Sequence, residues 1–586
     1  MTVLQALNQY YGRMAARGDA EPPGYSRESI GLCLWLNEDG SIAKVEDLTD
    51  YTGKKPQPKR LVVPQAVIRT SGVSSNFLWD KTAYTLGIGR DKDKKLVRFF
   101  EKEQSEFARL HRERLVGTND AGLRALLAFT DTWKPETFES DSRFAPDMLD
   151  KNIVFGLAGG RLEYLHERPA AQLLIEEPRE IWQTRICLVT GEEAPITELH
   201  PSVKGVDGAQ SSGAKLVSYN ADAFTSYGAE SGANAPTSVQ AAFRYGTALN
   251  RLLDRSSSNR LKIGDTTIAF WADAEGFGEQ AAAAAEEAMA MGMEPPDDPS
   301  EANKLRDTLK DVREGRPPRG LPNLEPGTRF YILGLAPNAA RLAVRFWLVD
   351  SFGNFFQRLA RHFEALRIEP EPWRKPPSIR NLLVQTTVRP GFGKSFFELE
   401  KDVPPLLAGE TTRAVLSGQP YPRTLLAAVI MRLRAGDKFT GWHAAVIKAC
   451  INRRSKETLP VARDIENPDP AYQLGRLFAV LEAAQYAALG KVNASIADRY
   501  YGAASATPAR VFGTLLRSAR NHISDALKRG KGKWVESRLN EIFGHLPTEF
   551  PKTLRLEEQG RFAVGYYHER AWRGPGEATQ EEGEEK

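Results

Sequence analysis

Cysteine is scarce in this chain. Its 586 residues hold three, Cys33, Cys187 and Cys450, far apart and in no CxxC pair. Neither a disulfide framework nor a closed zinc knuckle is expected, and a reducing cytoplasm is the expected compartment. Long apolar runs are missing as well. No stretch approaches the ~18 uninterrupted apolar residues of a spanning helix, so no membrane is expected. The first helical pattern (Leu4, Leu7, Tyr10, Tyr11, Met14, with Arg13 and Arg17) lacks the apolar run and cleavage site of a signal peptide. Net charge is nearly absent, since 79 Lys+Arg stand against 75 Asp+Glu, leaving +4. The totals announce no polyanionic partner, so the distribution of charge has to be read instead. Catalytic signatures are lacking too. There is no GxSxG elbow, no helicase acidic box and no paired-carboxylate nuclease pattern. Cys187 and His200 are near one another, but the two further ligands of a closed zinc site are not supplied. No metal or cofactor is expected.

What is present is an ordinary globular composition, 41% hydrophobic and 26% charged. The length fits two to four domains at roughly 100–200 residues each. The expected fold class is α+β, a mixed α/β N-terminal region with a C-terminal all-α helical bundle. Residues 1–18 read as a helix stopped by Gly18 and Pro22–Gly24. Leu32–Leu36 (LCLWL) reads as a buried strand, followed after the turn NEDG by a second strand at Ile42–Val45. Thr237–Leu253 and Ser351–Leu366 have helical spacing, and Thr266–Trp271 and Arg329–Leu335 read as strands. In Arg341–Asp350, Leu342, Val344, Phe346 and Leu348 alternate with Arg341, Ala343, Arg345 and Trp347, which predicts a strand with one basic face. The expected division is 1–275 for the α+β domain, 276–325 for a partly exposed helical insertion and linker, and 326–405 for the continuation of the α+β region. A helical bundle follows at 406–573 and a glutamate-rich disordered tail at 574–586.

Three stretches stand out. His200–Tyr227 contains Gly205, Gly208 and Gly213, with Gln210, Ser211 and Ser212 between them and Lys204 and Lys215 flanking. Glycine admits backbone conformations closed to other residues, and such a loop can bring N–H groups to a phosphate. GAQSSGAK lacks the GK[ST] ending of a P-loop. A long ordered surface loop is the plainer alternative. Arg69–Lys81 (RTSGVSSNFLWDK) joins small polar residues to an aromatic anchor, Phe77 and Trp79, and should present Ser74, Ser75 and Asn76 outward. The other reading makes Asn76 a helix N-cap. Finally, Ala471–Arg573 carries 16 Lys+Arg against 9 Asp+Glu, and Arg510, Arg517, Arg520, Lys528 and Arg529 stand off the apolar stripe of one helix, with Lys531 and Lys533 in the loop beyond it. A charged helix face is usually only solvated, but a net-basic bundle also suits a polyanion.

The long motifs RTSGVSSNFLWDKTAYTLG, CLVTGEEAPITELHPSVKGVDGAQSSGAKLVSYNADAFTSYG, GDTTIAFWAD and FYILGLAPNAARLAVRFW resemble the large subunit of the type I-C CRISPR Cascade, of the CRISPR-associated Csd family. The resemblance implies a non-enzymatic subunit of a crRNA-guided surveillance complex in antiviral defence. Such a subunit touches the handle-binding and backbone subunits. It reads the protospacer-adjacent motif on double-stranded target DNA, assists unwinding, stabilises the R-loop and recruits the helicase–nuclease. Base pairing by the guide supplies most of the sequence specificity. It also implies a small subunit translated from within the same gene and matching the C-terminal helices. Met431 is the last methionine after Met293, so a start near Val461 requires a non-AUG codon. Neutral polar groups suit the degenerate minor-groove pattern, so Ser74, Ser75 and Asn76, with Lys81, are the expected motif readers. Lys204, Gln210, Ser211 and Ser212 are expected to contact DNA or the crRNA handle. Arg341, Arg345, Arg510, Arg517, Arg520 and Lys528 are expected on the displaced strand or phosphate backbone. The rival readings are a hydrolase using His200 with Ser211 or Ser212 and Asp222, and an architectural subunit without DNA contact.

Overall fold

The computed structural model describes residues 1–586 apart from 53–55, 68, 70–71, 92–96, 160–161, 177–182, 220, 315, 317–322, 389–393, 531 and 573–586. The glutamate-rich tail, Lys531 and part of the expected linker thus lie outside the described residues. The chain forms two compact units, Met1–Val203 with Lys215–Arg251, and Lys204–Ala214 with Leu252–Lys586.

In the first unit the strand Leu32–Leu36 is buried along its whole length. It sits inside a four-stranded sheet, pairing antiparallel with Ile42–Asp47 and parallel with Asn152–Leu157, while Trp79–Lys81 closes the far edge. LCLWL shows no polar alternation because both faces of the strand are covered. Leu32, Leu34 and Leu36 enter one core with Phe77, Phe129, Ile153 and Phe155. Cys33 and Trp35 enter a second with Val63, Trp79 and Val154. The first helix, Val3–Ala16, begins at a capping box in which Thr2 and Gln5 satisfy each other's backbone N–H groups. It buries Leu7, Tyr10, Tyr11 and Met14.

The second unit starts from four antiparallel strands in sequential order, Arg260–Ile263, Thr266–Ala272, Arg329–Asn338 and Arg341–Ser351. Ile268, Phe270, Phe330, Ile332 and Phe346 face one large core, which also takes in the helices Gly278–Met293 and Phe352–Leu366. Trp271, Tyr331 and Trp347 gather separately, with ring centres 5.4–5.6 Å apart. The alanine-rich stretch after 276 was expected as a partly exposed insertion. Within it Ala282, Ala285, Ala288 and Met289 are fully buried, because small side chains let that helix approach the sheet closely.

Helices dominate the rest, as the sequence predicts. Pro470–Leu489 is buried almost all round and lies against Leu556–Ala571. The two helices touch through backbone. A Cβ on Gly475 would stand 1.9 Å from the Phe562 carbonyl oxygen, and one on Gly565 would stand 2.1 Å from that of Tyr472. Pro508–Lys528 and Lys533–Phe543 complete this part of the core through Phe512, Leu515, Val535 and Ile542.

Two consequences can be measured. Gly475→Ala must push the two helices apart, and a cost of about 3 kcal/mol or more is expected, at or beyond the upper end of overpacking. Thermal melting of the variant within about a degree of wild type would contradict the close approach. The second concerns His362 and His568, both buried in this unit. His362 pairs with the Tyr421 hydroxyl, and His568 with the Tyr472 hydroxyl at 2.9 Å and the Val461 carbonyl at 3.1 Å. Burial holds their imidazoles down to about 3 and about 4. The unfolded chain takes up these protons at a higher pH than the folded one. The stabilisation is therefore whole above about pH 6.5 and fades as pH falls towards those values, by up to about 1.4 kcal/mol per unit for each histidine. Urea midpoints should drop steadily between about pH 6.5 and 5, and flat midpoints would refute the assignment.

Candidate nucleic-acid interface

The Arg69–Lys81 loop is closed by a carboxylate. Asp80 is fully buried on the edge strand Trp79–Lys81. Its side chain pairs with the Arg69 guanidinium and accepts the Asn76 N–H at 2.8 Å, the Ser75 hydroxyl at 3.4 Å and the Lys81 N–H at 2.8 Å. Burial pushes this carboxyl above its ordinary value against the pull of Arg69. Arg69 also donates to the Ser74 carbonyl at 2.6 Å and lies over the Tyr84 ring. The result corrects the expected exposure of the loop. Ser75 and Asn76 are each only 4% exposed, and the Asn76 side-chain oxygen accepts the Val67 N–H at 2.9 Å. Asn76 is not an N-cap either, since the short helix Thr82–Thr85 is preceded by Lys81. Ser74 is half-buried and Lys81 is exposed. The aromatic anchor is as expected, with Phe77 and Trp79 buried.

The glycine loop is built the opposite way. Gly205, Gly208 and Gly213 all adopt positive φ, at 87°, 81° and 98°. At Gly205 the lack of a side chain also matters for space, because a Cβ would stand 2.3 Å from the Leu253 carbonyl oxygen. Arg260 pairs with the Asp207 carboxylate and donates to the Gly205 carbonyl at 3.2 Å. The Asp207 N–H is held by the Thr267 hydroxyl at 3.1 Å. With its base fixed to the sheet, the loop ends in a turn in which the Gln210 carbonyl accepts the Gly213 N–H at 2.9 Å. Gln210, Ser211 and Ser212 are all exposed there. Lys204 is half-buried. Lys215, held by burial at about 8, spends its ammonium on the His200 carbonyl at 2.6 Å.

The third element is the helix Pro508–Lys528. Its buried side carries Pro508, Phe512, Leu515, Ala519 and Ala526. At 3.6 residues per turn, positions 510, 514, 517, 521, 524 and 528 form one stripe on the opposite side. Arg510, Thr514, Arg517, Asn521, Ser524 and Lys528 occupy it, and all are exposed, as is Arg520 beside them. The stripe is about 27 Å long at 1.5 Å per residue. Asp525, which pairs with Lys528 at 3.1 Å, is the one acidic residue of this helix.

The family described as CRISPR-associated protein (Cas_Csd1) matches residues 7–573. The chain belongs to the CRISPR-associated Csd1 family. That is the family of the type I-C Cascade large subunit, which places the chain in a crRNA-guided complex with other Cascade subunits. A comparison with curated proteins found no match. No helix among the described residues is long and apolar enough to cross a membrane.

Two further expectations are revised in this Csd1 chain. Arg345 does not stand on an open basic face. The strand pairing slips between Gly334 and Leu335, leaving Arg345 as the extra residue of a bulge. It bonds to Asp265 at 2.8 Å and packs beside Gly409. Arg341 is half-buried. His200, offered as a general base in the hydrolase reading, is 3% exposed and bonded through Nδ1 to the Tyr245 hydroxyl at 2.7 Å. Burial, aided by Lys215, lowers it to about 4. Sequence reasoning missed Asp80, Asp207 and Arg260, the groups that decide which way each loop points. A charged residue inside a polar motif was the available signal.

Removing Asp80 tests the first loop. Asp80→Ala leaves the Arg69 guanidinium without its counter-charge and the Asn76 N–H without its acceptor, and loss of about 3–5 kcal/mol is expected. Limited proteolysis should then cut within residues 72–76. A variant as stable and as resistant as wild type would rule out Asp80 as the closing group.

Proposed function

We propose that this Csd1 chain is the DNA-contacting, non-catalytic large subunit of its complex. In this reading it recognises a short motif on the target duplex, helps open it, holds the displaced strand and recruits the helicase–nuclease. The observation that carries the reading is the exposed cationic stripe on Pro508–Lys528. Its guanidinium and ammonium groups, with hydroxyl and amide side chains between them, suit a sugar–phosphate backbone, and base identity plays no part. Arg510, Arg517, Arg520 and Lys528 would keep the displaced strand from re-annealing. Arg341 is assigned no more than a phosphate contact.

With Ser75 and Asn76 turned inward, motif reading is assigned to the fixed turn Gln210–Ser212, supported by Lys204. Gln and Ser can both donate and accept, which suits acceptor-rich base edges. Lys81 serves as a phosphate contact from the first unit. The buried, tyrosine-bound His200 favours this reading over hydrolysis. The small subunit from an internal start near Val461 is part of the proposal, and an intact-mass spectrum of the purified complex lacking such a fragment would remove it.

The Arg517→Glu, Arg520→Glu double variant tests the holding role in the assembled complex. R-loop lifetime should shorten, and the salt slope of single-strand binding should fall by at least about 1.4, at roughly 0.7 per phosphate contact. Motif preference should stay as in wild type. A changed motif preference with an unchanged R-loop lifetime would overturn the assignment.

A further inference from the structure

We infer that Trp534 is a stacking platform for an unpaired base at the end of the cationic stripe, an inference that rests on the holding role proposed above. A singly exposed apolar side chain means little by itself. Here its company decides. Among the described residues two tryptophans are strongly exposed, Trp534 at 44% and Trp572 at 41%. Trp572 is employed within the fold, because Arg538 and Arg463 lie over its ring at 3.7 and 4.9 Å. Trp534 has no such partner among the described residues.

Its position follows from a close turn. The helix Pro508–Lys528 ends, and the Gly530 N–H bonds back to the Leu527 carbonyl at 2.9 Å. Gly532 then lies so near that a Cβ on it would stand 2.7 Å from the Leu527 nitrogen. The next helix, Lys533–Phe543, therefore starts against the last turn of the one before it. Trp534 is in its first turn, with Val535 buried behind it and Lys533 exposed beside it. Lys528 and Arg529 stand exposed at the end of the preceding helix.

An indole with open area, three exposed cations within six residues of it across a close turn, and a cationic stripe on the preceding helix is the combination that binds single strands. The charges track phosphates, and the ring takes a base face, which every base has. A duplex keeps its base faces stacked on one another, so the geometry selects a single strand. In the complex that strand is the one displaced by the guide. The same chemistry could hold single-stranded RNA, and the test includes it.

The full chain, alone and in the assembled complex, is titrated with labelled oligothymidylate, oligouridylate and an abasic deoxyribose-phosphate strand of the same length. Trp534→Leu should weaken oligothymidylate binding about tenfold. Trp534→Phe should recover most of the loss. Binding of the abasic strand, and the salt slope, should be the same in wild type and Trp534→Leu. A larger loss on oligouridylate than on oligothymidylate would overturn the displaced DNA strand as occupant. Wild-type binding of oligothymidylate with no effect of Trp534→Leu, or an equal loss on the abasic strand, would overturn the stacking role alone. A wild-type chain that fails to bind single strands would overturn the holding role and this inference together.

Discussion

Everything the C-terminal helices show to solvent depends on charges they hide. Glu569 receives Arg476 at 2.8 Å, Arg463 at 2.7 Å and Arg538 at 2.5 Å. Glu541 takes second bonds from Arg476 and from Arg463, the latter at 2.8 Å. Arg476 is completely buried, and its remaining N–H groups go to the Gln473 side chain and the Ile465 carbonyl. Three cations on two anions cost much to desolvate, and such a cluster is tolerated only when nearly every lone pair and proton is used. Completing it fixes the registers of Pro470–Leu489, Lys533–Phe543 and Leu556–Ala571 at once. The helix Pro508–Lys528 packs on two of these elements through Phe512, Leu515 and Ala519, so its outward stripe is the face that this apolar side leaves out. The basic surplus counted from sequence mixes two populations of arginine. One is sealed inside as structure, and the other is left exposed to solvent.

The sequence revealed the fold wherever a single period governs. LCLWL could be read as a buried strand because both faces meet apolar cores, and the long helices because their apolar residues recur at helical spacing. It failed where a non-local charge decides. Serines and an asparagine in a glycine-containing loop read as solvent-facing, and nothing in their order reveals that Asp80 draws them inward through Arg69. It failed also where the period itself breaks. One extra residue at the bulge turns Arg345 from an open face to Asp265. In the alanine-rich stretch, composition suggested a partly exposed helix, and what it did not show is that the small side chains let the inner face pack closely. The three glycines of the candidate loop were legible for the right reason, since each adopts the positive φ that their spacing suggested.

The two polar loops make the general point. Each is a short run of small polar residues backed by an arginine–aspartate pair, Arg69–Asp80 in one and Arg260–Asp207 in the other. In the first the carboxylate accepts from the loop's own N–H and hydroxyl groups, so the polar tips are used up inside. In the second the pair grips the base of the loop, and the tips are left free. Composition cannot separate these cases, because the same residue types serve both. What separates them is whether the anchoring acid lies under the turn or beside its root.

This difference bears on how the labour of binding is divided. A turn that reads base edges gains by being rigid before the ligand arrives, since ordering it afterwards subtracts from affinity. The root of the Gln210–Ser212 turn is held in that way, with Asp207 on Arg260 and Thr267 and the Gly213 N–H on the Gln210 carbonyl. A surface that holds a flexible strand has the opposite need. It must accept any sequence and many local geometries, so long, mobile side chains on a rigid helix are suitable, and their attraction is set by charge. In the proposed reading the Csd1 chain carries one surface of each kind in its second unit. The buried arginine cluster ties together the helices that Pro508–Lys528 packs on, and the sheet holds the root of the Gln210–Ser212 turn. If the proposed roles hold, specificity and retention can be altered independently, because the groups that fix each surface are not shared.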